Sequence, residues 1–113
     1  EYERIYRRIL TDAVENSHCR LVLMEPFLFC RKHAEPMLEE LRKYIEAVHR
    51  LGSEFGAVVV GLQEQIEKLT NVVEPRKFSN DMVHPAVWAH AWIAQRWLSA
   101  TGLDGRKEII KNN

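Results

Sequence analysis

The sequence predicts an α/β domain in which a parallel sheet lies between helices. Residues 21–24 and 57–60 are short, uninterrupted apolar runs, and each follows a longer segment with helical periodicity. Strands that alternate with helices pair in parallel through right-handed crossovers. The 113 residues fit a single domain, and a hydrophobic content of 46% can build its core.

The first predicted helix begins near residue 2 and closes at Asn16 and Ser17. Residues 21–24 then form a strand buried on both faces, because the run shows no polar alternation. Pro26 ends this strand, since proline cannot continue a strand ladder. The helix is amphipathic because its apolar residues recur at helical spacing: Tyr2, Ile5, Tyr6, Ile9, Leu10 and Val14.

The second predicted helix follows a loop over residues 27–34. It runs from Glu35 to Gly56, which acts as its C-cap. Gly52 lies inside this helix and costs about 1 kcal/mol relative to alanine. Residues 57–60 include three consecutive valines, which favour a second buried strand.

Two further helices complete the predicted set of two strands and four helices. Residues 62–69 form a short third helix, and residues 70–80 form a polar loop. The fourth helix begins at about Pro85, a suitable first-turn residue, and ends at about Ala100 before Gly102. A two-stranded parallel sheet leaves one edge of its first strand open, which predicts that further strands or another chain cover it.

The charge composition argues against several classes of partner. Lysine plus arginine and aspartate plus glutamate are balanced at 16 each, so no basic face indicates nucleic acid. No apolar run approaches the roughly 20 residues of a membrane span, and no stretch has the pattern of a signal peptide. Cys19 and Cys30 could pair, but a soluble, charged chain favours two reduced thiols and a cytoplasmic location.

The candidate catalytic residues lie in residues 80–85, which read NDMVHP. Asp81 stands three residues before His84, and a turn of this length can direct the carboxylate at one imidazole nitrogen while the other faces a cleft. Such an imidazole takes a proton from a hydroxyl near pH 7, and the carboxylate sets its tautomer. The alternative is structural, with Asp81 as a helix cap and His84 as a surface residue.

These residues resemble the last motif of the GDSL/SGNH hydrolases, a family of serine esterases and lipases. That motif reads Asp-x-Val-His-Pro, then a small residue and His, then Ile-Ala-x-x-Trp. It stands here at residues 81–85, at Ala89-His90 and at residues 93–97. Residues 21–27 and 54–60 also resemble the last two core strands of such enzymes. The resemblance implies that residues 1–113 are the C-terminal half of one three-layer α/β/α, flavodoxin-like domain.

The resemblance also implies roles for the two candidate residues. His84 is implied to be the general base, and Asp81 the residue that orients it. The nucleophilic serine of the family lies in a Gly-Asp-Ser block, and no serine here has that context: Ser17, Ser53, Ser79 and Ser99. Met82 and Ala89 stand where the family usually has a small residue and a glycine, and a methionine there could narrow the cleft or alter the turn.

Further residues are candidates for a substrate pocket. Phe27 and Phe29 follow the carboxyl end of a strand, the edge at which open parallel sheets bind ligands, although a packed loop explains them equally well. Met82 lies inside the motif itself. Trp88 and Trp92 fall toward the polar side of the last helix, where they line either the cleft mouth or an interface.

Two residues with reactive side chains are interpreted as structural. His90 falls on the same side of the last helix as Ile93 and Trp97, which favours a core position or support for the site. A metal site is not expected, since no cysteine or carboxylate completes one at ligand spacing, and the implied chemistry needs no cofactor. Cys30 has no adjacent base or helix start that would make it a nucleophile.

The sequence and the resemblance together predict the C-terminal half of a serine esterase that hydrolyses acyl or acetyl esters of carbohydrates, lipids or small alcohols. The chain would carry the Asp-His of the triad but not its Ser. Its expected partners are a small-molecule ester and either the N-terminal half of the domain or another copy of the chain. The alternative is a non-catalytic interaction module, or a fragment that assembles with a partner chain.

Overall fold

The computed structural model describes residues 1–31 and 35–104, and that part of the chain contains two strands and five helices. The elements in chain order are α1 (Tyr2–Asn16), β1 (Val22–Met24), α2 (Met37–Phe55), β2 (Val58–Val60), α3 (Gln63–Leu69), α4 (Pro75–Phe78) and α5 (Val87–Thr101). The strands pair in parallel, with Val22 opposite Val58 and Met24 opposite Val60. The predicted α/β class and parallel pairing are confirmed.

The sheet lies between two layers of helices, and each layer has its own core. The first core lies on the side of α1 and α2 and contains Leu10, Leu23, Val48 and Leu51. The second core lies on the side of α5 and contains Phe29, Val60, Leu62, Ile66, Phe78 and Ala89. Successive residues of a strand face opposite sides, so β1 and β2 each contribute to both cores.

Two glycines determine where α2 ends and how closely it lies on the sheet. Gly56 has a φ of 62° and caps the helix in the left-handed conformation, as predicted. A Cβ atom at Gly52 would lie 2.4 Å from Cγ2 of Val59. The cost of a glycine inside the helix is therefore offset by the close approach of α2 to β2.

The segment predicted as a polar loop contains the short helix α4. Pro75 occupies its first turn, and Phe78 at its end is fully buried. The sequence prediction missed α4 because four residues are too few to show a helical period. Helix α5 begins at Val87 and not at Pro85, since Pro85 pairs with Ser79 in an isolated antiparallel bridge.

The first strand is less buried than predicted. Val22 is half-buried and Met24 is exposed, because in the described part of the chain β1 pairs with β2 alone. Helix α1 also leaves part of its apolar face uncovered, and 61% of Ile9 is exposed. Tyr2, Ile5, Tyr6 and Ile9 border a shallow cavity of about 190 Å³. The described residues thus present an open strand edge and an uncovered apolar face on α1.

Both cysteines are unpaired in the structure. Cys19 is exposed and Cys30 is buried. Burial raises the pKa of the Cys30 thiol, with smaller contributions from the carboxylates of Glu35 and Glu67. A raised pKa lowers the fraction of reactive thiolate, which agrees with the interpretation of Cys30 as a structural residue.

Candidate active site

Asp81 organises a tight turn between α4 and α5. Its Oδ1 accepts hydrogen bonds from the backbone N–H of Val83 at 3.0 Å and of His84 at 2.8 Å. The hydroxyl of Ser79 donates to the same oxygen at 3.0 Å. Aspartate closes turns in this way because its short side chain reaches the backbone N–H groups just ahead of it. Asp81 does not cap α5, whose N-cap is Ala86, and its Oδ1 closes the turn instead.

His84 takes the other oxygen of the same carboxylate. The distance from its Nδ1 to Asp81 Oδ2 is 2.6 Å. An ionised carboxylate only accepts hydrogen bonds, so the proton of the neutral ring lies on Nδ1. The side chain of His84 is 85% exposed, and its Nε2 has no partner among the described residues. The turn therefore presents an unprotonated imidazole nitrogen to the surroundings.

The charge on Asp81 is held by the turn itself. The backbone N–H of His84, the imidazole of His84 and the backbone N–H of Val83, in that order, hold the pKa of Asp81 well below its usual range. The carboxylate consequently stays ionised over the whole neutral range. An ionised partner on Nδ1 stabilises the imidazolium that forms when Nε2 accepts a proton.

Hydrogen bonds at the base of the turn attach it to the second core. Ser79 is buried and pairs with Pro85, and the N–H of Ala86 donates to the carbonyl of Phe78 at 2.7 Å. The indole N–H of Trp88 donates to a backbone carbonyl in α4 at 2.9 Å. The two ends of the turn are therefore held together at the fully buried Phe78.

The pocket candidates fall into two environments. Phe29 is fully buried in the second core, and half-buried Phe27 packs edge-on against it with ring centroids 5.2 Å apart. Met82 borders a cavity of about 190 Å³ that Phe29 also reaches. Trp88 is exposed beside the turn. The burial of Phe29 fits the packed-loop alternative, and contacts of Phe27, Met82 and Trp88 with a substrate stay predictions.

The orientation of α5 corrects one interpretation of His90. His90 is exposed rather than in the core, because the neighbouring Ala89 takes the position that faces the sheet, and support for the site by His90 stays a prediction. Trp92 is half-buried and packs against the second core together with Trp97, and its place at a cleft mouth or an interface stays a prediction. In the described part of the chain no group of three histidine, cysteine or acidic residues could hold a metal ion. No helix there is long and apolar enough to cross a membrane.

The sequence analysis did not predict a second carboxylate–imidazole pair, which the structure shows. Glu25 directly follows β1 and is 9% exposed. Its Oε2 lies 2.5 Å from Nε2 of His49 on α2. Its Oε1 accepts the backbone N–H groups of Leu62 at 2.7 Å and Gln63 at 3.0 Å, at the start of α3. The sequence did contain one signal for this pair, an acidic residue at the end of a predicted buried strand. A buried carboxylate needs hydrogen-bond donors from other parts of the chain.

Buried hydrogen bonds connect this pair to the turn. The side-chain amide of Gln63 accepts the N–H of Leu28 at 2.8 Å and donates to its carbonyl at 3.1 Å. The next residue, Phe29, donates its N–H to the carbonyl of Met82 at 2.9 Å. The segment after β1 therefore contacts both the start of α3 and the tip of the candidate catalytic turn.

No protein-family model and no curated protein sequence matches the chain. Solved structures do match it. It is similar to an acetylxylan esterase from Geobacillus stearothermophilus, with a TM-score of 0.82 and 24% identity over 90% of this chain and 46% of the other. A protein from Parabacteroides merdae described as a GDSL-like lipase has a TM-score of 0.81 and 27% identity, over 91% and 49% of the two chains. The chain has the fold of the GDSL/SGNH hydrolases.

An α/β hydrolase from the metagenome of Lake Arreo in Spain shows the same SGNH fold. Its TM-score is 0.83 at 21% identity, over 91% of this chain and 47% of the other. The resemblance to GDSL/SGNH enzymes drawn from residues 81–97 is thereby confirmed at the level of the fold. The chain spans about half the length of the solved structures that it matches.

Proposed function

We propose that this chain supplies the general base and its orienting carboxylate to a serine esterase of the GDSL/SGNH type. The observation that carries the proposal is the 2.6 Å contact between Asp81 Oδ2 and His84 Nδ1, with the opposite side of the ring exposed. A pair in this arrangement can accept the proton of a serine hydroxyl. The fold, which is that of esterases and lipases, supports the same chemistry.

In the proposed reaction a serine from outside these residues attacks the ester carbonyl. Nε2 of His84 takes the hydroxyl proton as the C–O bond forms, and returns it to the leaving alcohol as the ester bond breaks. Water then attacks the acyl-enzyme carbonyl and gives a proton to the same nitrogen, and that proton passes to the serine oxygen as the acyl–serine bond breaks and the acid is released. Asp81 keeps Nδ1 of His84 protonated through both steps and stabilises the imidazolium.

The proposed substrates are acyl or acetyl esters of carbohydrates, lipids or small alcohols. One solved structure of the same fold is an acetylxylan esterase, which supports an acetylated carbohydrate. The exposure of His84 leaves its ring accessible to such a substrate and to a serine from outside these residues.

We further propose that the nucleophile comes from the other half of the domain or from another chain. Two features of the structure support such a partner. The outer edge of β1 offers unpaired backbone groups to a further strand, and the apolar face of α1 around Ile5 and Ile9 is uncovered among the described residues. A partner that adds a strand beside β1 would satisfy the open edge.

Hydrolysis of p-nitrophenyl acetate tests the proposal in two stages. The 113-residue chain alone should not exceed the rate of its His84→Ala variant, because loss of the nucleophile costs about 10⁶-fold in turnover. The assembled enzyme, with a Gly-Asp-Ser segment supplied, should lose activity on His84→Ala and keep it on His18→Ala. His18 is a matched control, since it is exposed between α1 and β1 and lies outside the turn. Turnover by the chain alone that depends on His84 would refute the need for a partner.

The open edge of β1 also favours a second candidate, a non-catalytic interaction module. The codons upstream of Glu1 distinguish the two candidates, since a Gly-Asp-Ser block belongs to the esterase and an unrelated domain to the module. Size-exclusion chromatography separately tests the edge, which predicts a dimer or a larger species for the isolated chain. A monomer at high concentration would argue against self-association through β1.

A further inference from the structure

Met82 lies at the tip of the Asp81–His84 turn in a backbone conformation that favours glycine. Its φ is 70°, and among the described residues it is the one non-glycine residue with a positive φ. A Cβ atom disfavours this region, so such a residue persists only where its surroundings hold it. Contacts between Met82 and its surroundings must therefore hold this conformation.

Two contacts hold the tip, and both reach the segment that follows β1. The carbonyl of Met82 accepts the N–H of Phe29 at 2.9 Å, and Phe29 is fully buried. The side chain of Met82 packs against a small buried cluster formed by Leu28, Cys30 and Leu38. The hydrogen bond and the packing act on the same residue.

The hydrogen bonds of the catalytic pair itself are all local. Asp81 bonds to Ser79, Val83 and His84, which lie within three residues of it. The base of the turn is held at Phe78, but the pair stands beyond that base. Met82 lies between the two members of the pair, so a shift of its backbone moves the N–H groups that Asp81 accepts.

We propose that Met82 is a positioning residue, whose packing and hydrogen bond to Phe29 hold the turn in the left-handed conformation that pairs Asp81 with His84. This inference rests on the proposed function, because a general base needs a fixed tautomer and direction. It gives a role to the methionine that stands where the resembling family has a small residue. Packing here fixes a conformation that glycine could enter without strain but would not hold, since glycine adopts positive and negative φ about equally.

The test compares Met82→Ala, Met82→Gly and Met82→Leu in the 113-residue chain. Alanine removes the packing and keeps the backbone strain, glycine removes both, and leucine keeps most of the apolar volume. Leu51→Ala is the control, since Leu51 is fully buried in the first core on the opposite face of the sheet. All comparisons are made below the onset of thermal unfolding of each variant, followed by circular dichroism.

Two NMR signals report the state of the pair. The ring ¹⁵N shifts of His84 give the ratio of its two neutral tautomers, and hydrogen exchange gives the protection of the His84 amide that Asp81 accepts. In the alanine and glycine variants we expect amide exchange to accelerate at least about fivefold, and the tautomer ratio to shift at least about threefold toward Nε2–H. The leucine variant and Leu51→Ala should stay within about twofold of the parent chain.

Unchanged tautomer ratio and amide exchange in both truncated variants would overturn the proposal and leave Met82 a packing residue. Equal acceleration in Leu51→Ala would overturn it as well, since the turn would then follow global stability. If Met82→Ala does not fold, Met82→Gly supplies the same comparison without the strain. Neither signal requires hydrolysis, so inactivity of the assembled enzyme refutes the proposed function and leaves the positioning by Met82 separately measurable.

Discussion

Two carboxylate–imidazole pairs in this chain have similar geometry, but their carboxylates lie in opposite surroundings. The N···O distance is 2.5 Å between His49 and Glu25 and 2.6 Å between His84 and Asp81. Glu25 is 9% exposed, whereas the Asp81 side chain is 53% exposed. The first pair joins residues 24 apart in the chain, and the second joins residues three apart. A short contact alone therefore does not distinguish a catalytic pair from a structural one.

The partners of the second carboxylate oxygen make the distinction. The second oxygen of Glu25 is used by the N–H groups of Leu62 and Gln63, so this carboxylate ties β1 and α2 to the start of α3. The second oxygen of Asp81 is used within its own turn, and Nε2 of His84 is left open among the described residues. One pair holds distant elements together, and the other presents a base.

The largest expected difference between the pairs is in turnover by the assembled esterase. His84→Ala should lower kcat by about 10⁶-fold, and Asp81→Asn by up to about 10⁴-fold, because both act on the base. His49→Ala should change kcat by less than about tenfold, since His49 acts through the fold. Steady-state hydrolysis of p-nitrophenyl acetate measures all three variants. A loss of kcat on His49→Ala as large as that on His84→Ala would show that the two pairs do not differ in their roles.

Changes in the free energy of unfolding should be larger for the Glu25–His49 pair than for the Asp81–His84 pair. Glu25→Ala leaves the N–H groups of Leu62 and Gln63 without their acceptor, and we expect it to lower the free energy of unfolding by about 3 kcal/mol. Asp81→Ala should have a smaller effect, because water can replace an exposed acceptor. Urea unfolding followed by circular dichroism measures both. Glu39→Ala, an exposed glutamate on α2, is the matched control, and an equal loss there would remove Glu25 from its structural role.

Gly52→Ala tests the Glu25–His49 pair through the element that carries His49. The new Cβ would lie 2.4 Å from Val59 Cγ2, and valine is too stiff to move aside easily, so α2 must shift on the sheet. We expect a loss of about 2 kcal/mol in stability although alanine favours helices. Ser53→Ala, one residue on and exposed, should stay within about 0.5 kcal/mol. A stabilised Gly52→Ala variant would show that the close approach is unnecessary.

The smallest effect is expected on the loss of folding stability at acid pH. Burial acts to raise the pKa of Glu25, but the hydrogen bonds from His49 and from the N–H groups of Leu62 and Gln63 lower it overall, below its ordinary value of 4.5. A folded-state pKa below the unfolded one gives stabilisation that is complete above about pH 5 and is lost as pH falls through the folded-state pKa.

Glu25→Gln should therefore flatten the fall of Tm below about pH 5, with Glu39→Gln as the control. Differential scanning calorimetry from neutral to acid pH measures the two curves. If Tm of Glu25→Gln falls with pH in parallel with that of the parent chain, ionisation of Glu25 does not contribute to the loss of stability at acid pH.

Features that depend on neighbours in the chain were predictable from the sequence. Gly56 ends α2 because a left-handed cap needs only its own φ, and the Asp81–His84 contact forms because three residues suffice to close a turn. The two strands were visible as uninterrupted apolar runs between helical segments. The motif around His84 also sufficed to indicate the fold that the solved structures share.

Other features were decided only when distant segments met. Glu25 and His49 lie on elements that parallel pairing of β1 with β2 brings together, and no spacing in the chain indicates that contact. The burial of Phe29 depends on α5 covering the same face of the sheet. Local spacing therefore determined where the base and its carboxylate lie, and tertiary packing alone decided what holds them, because contacts between distant segments exist only in the folded chain.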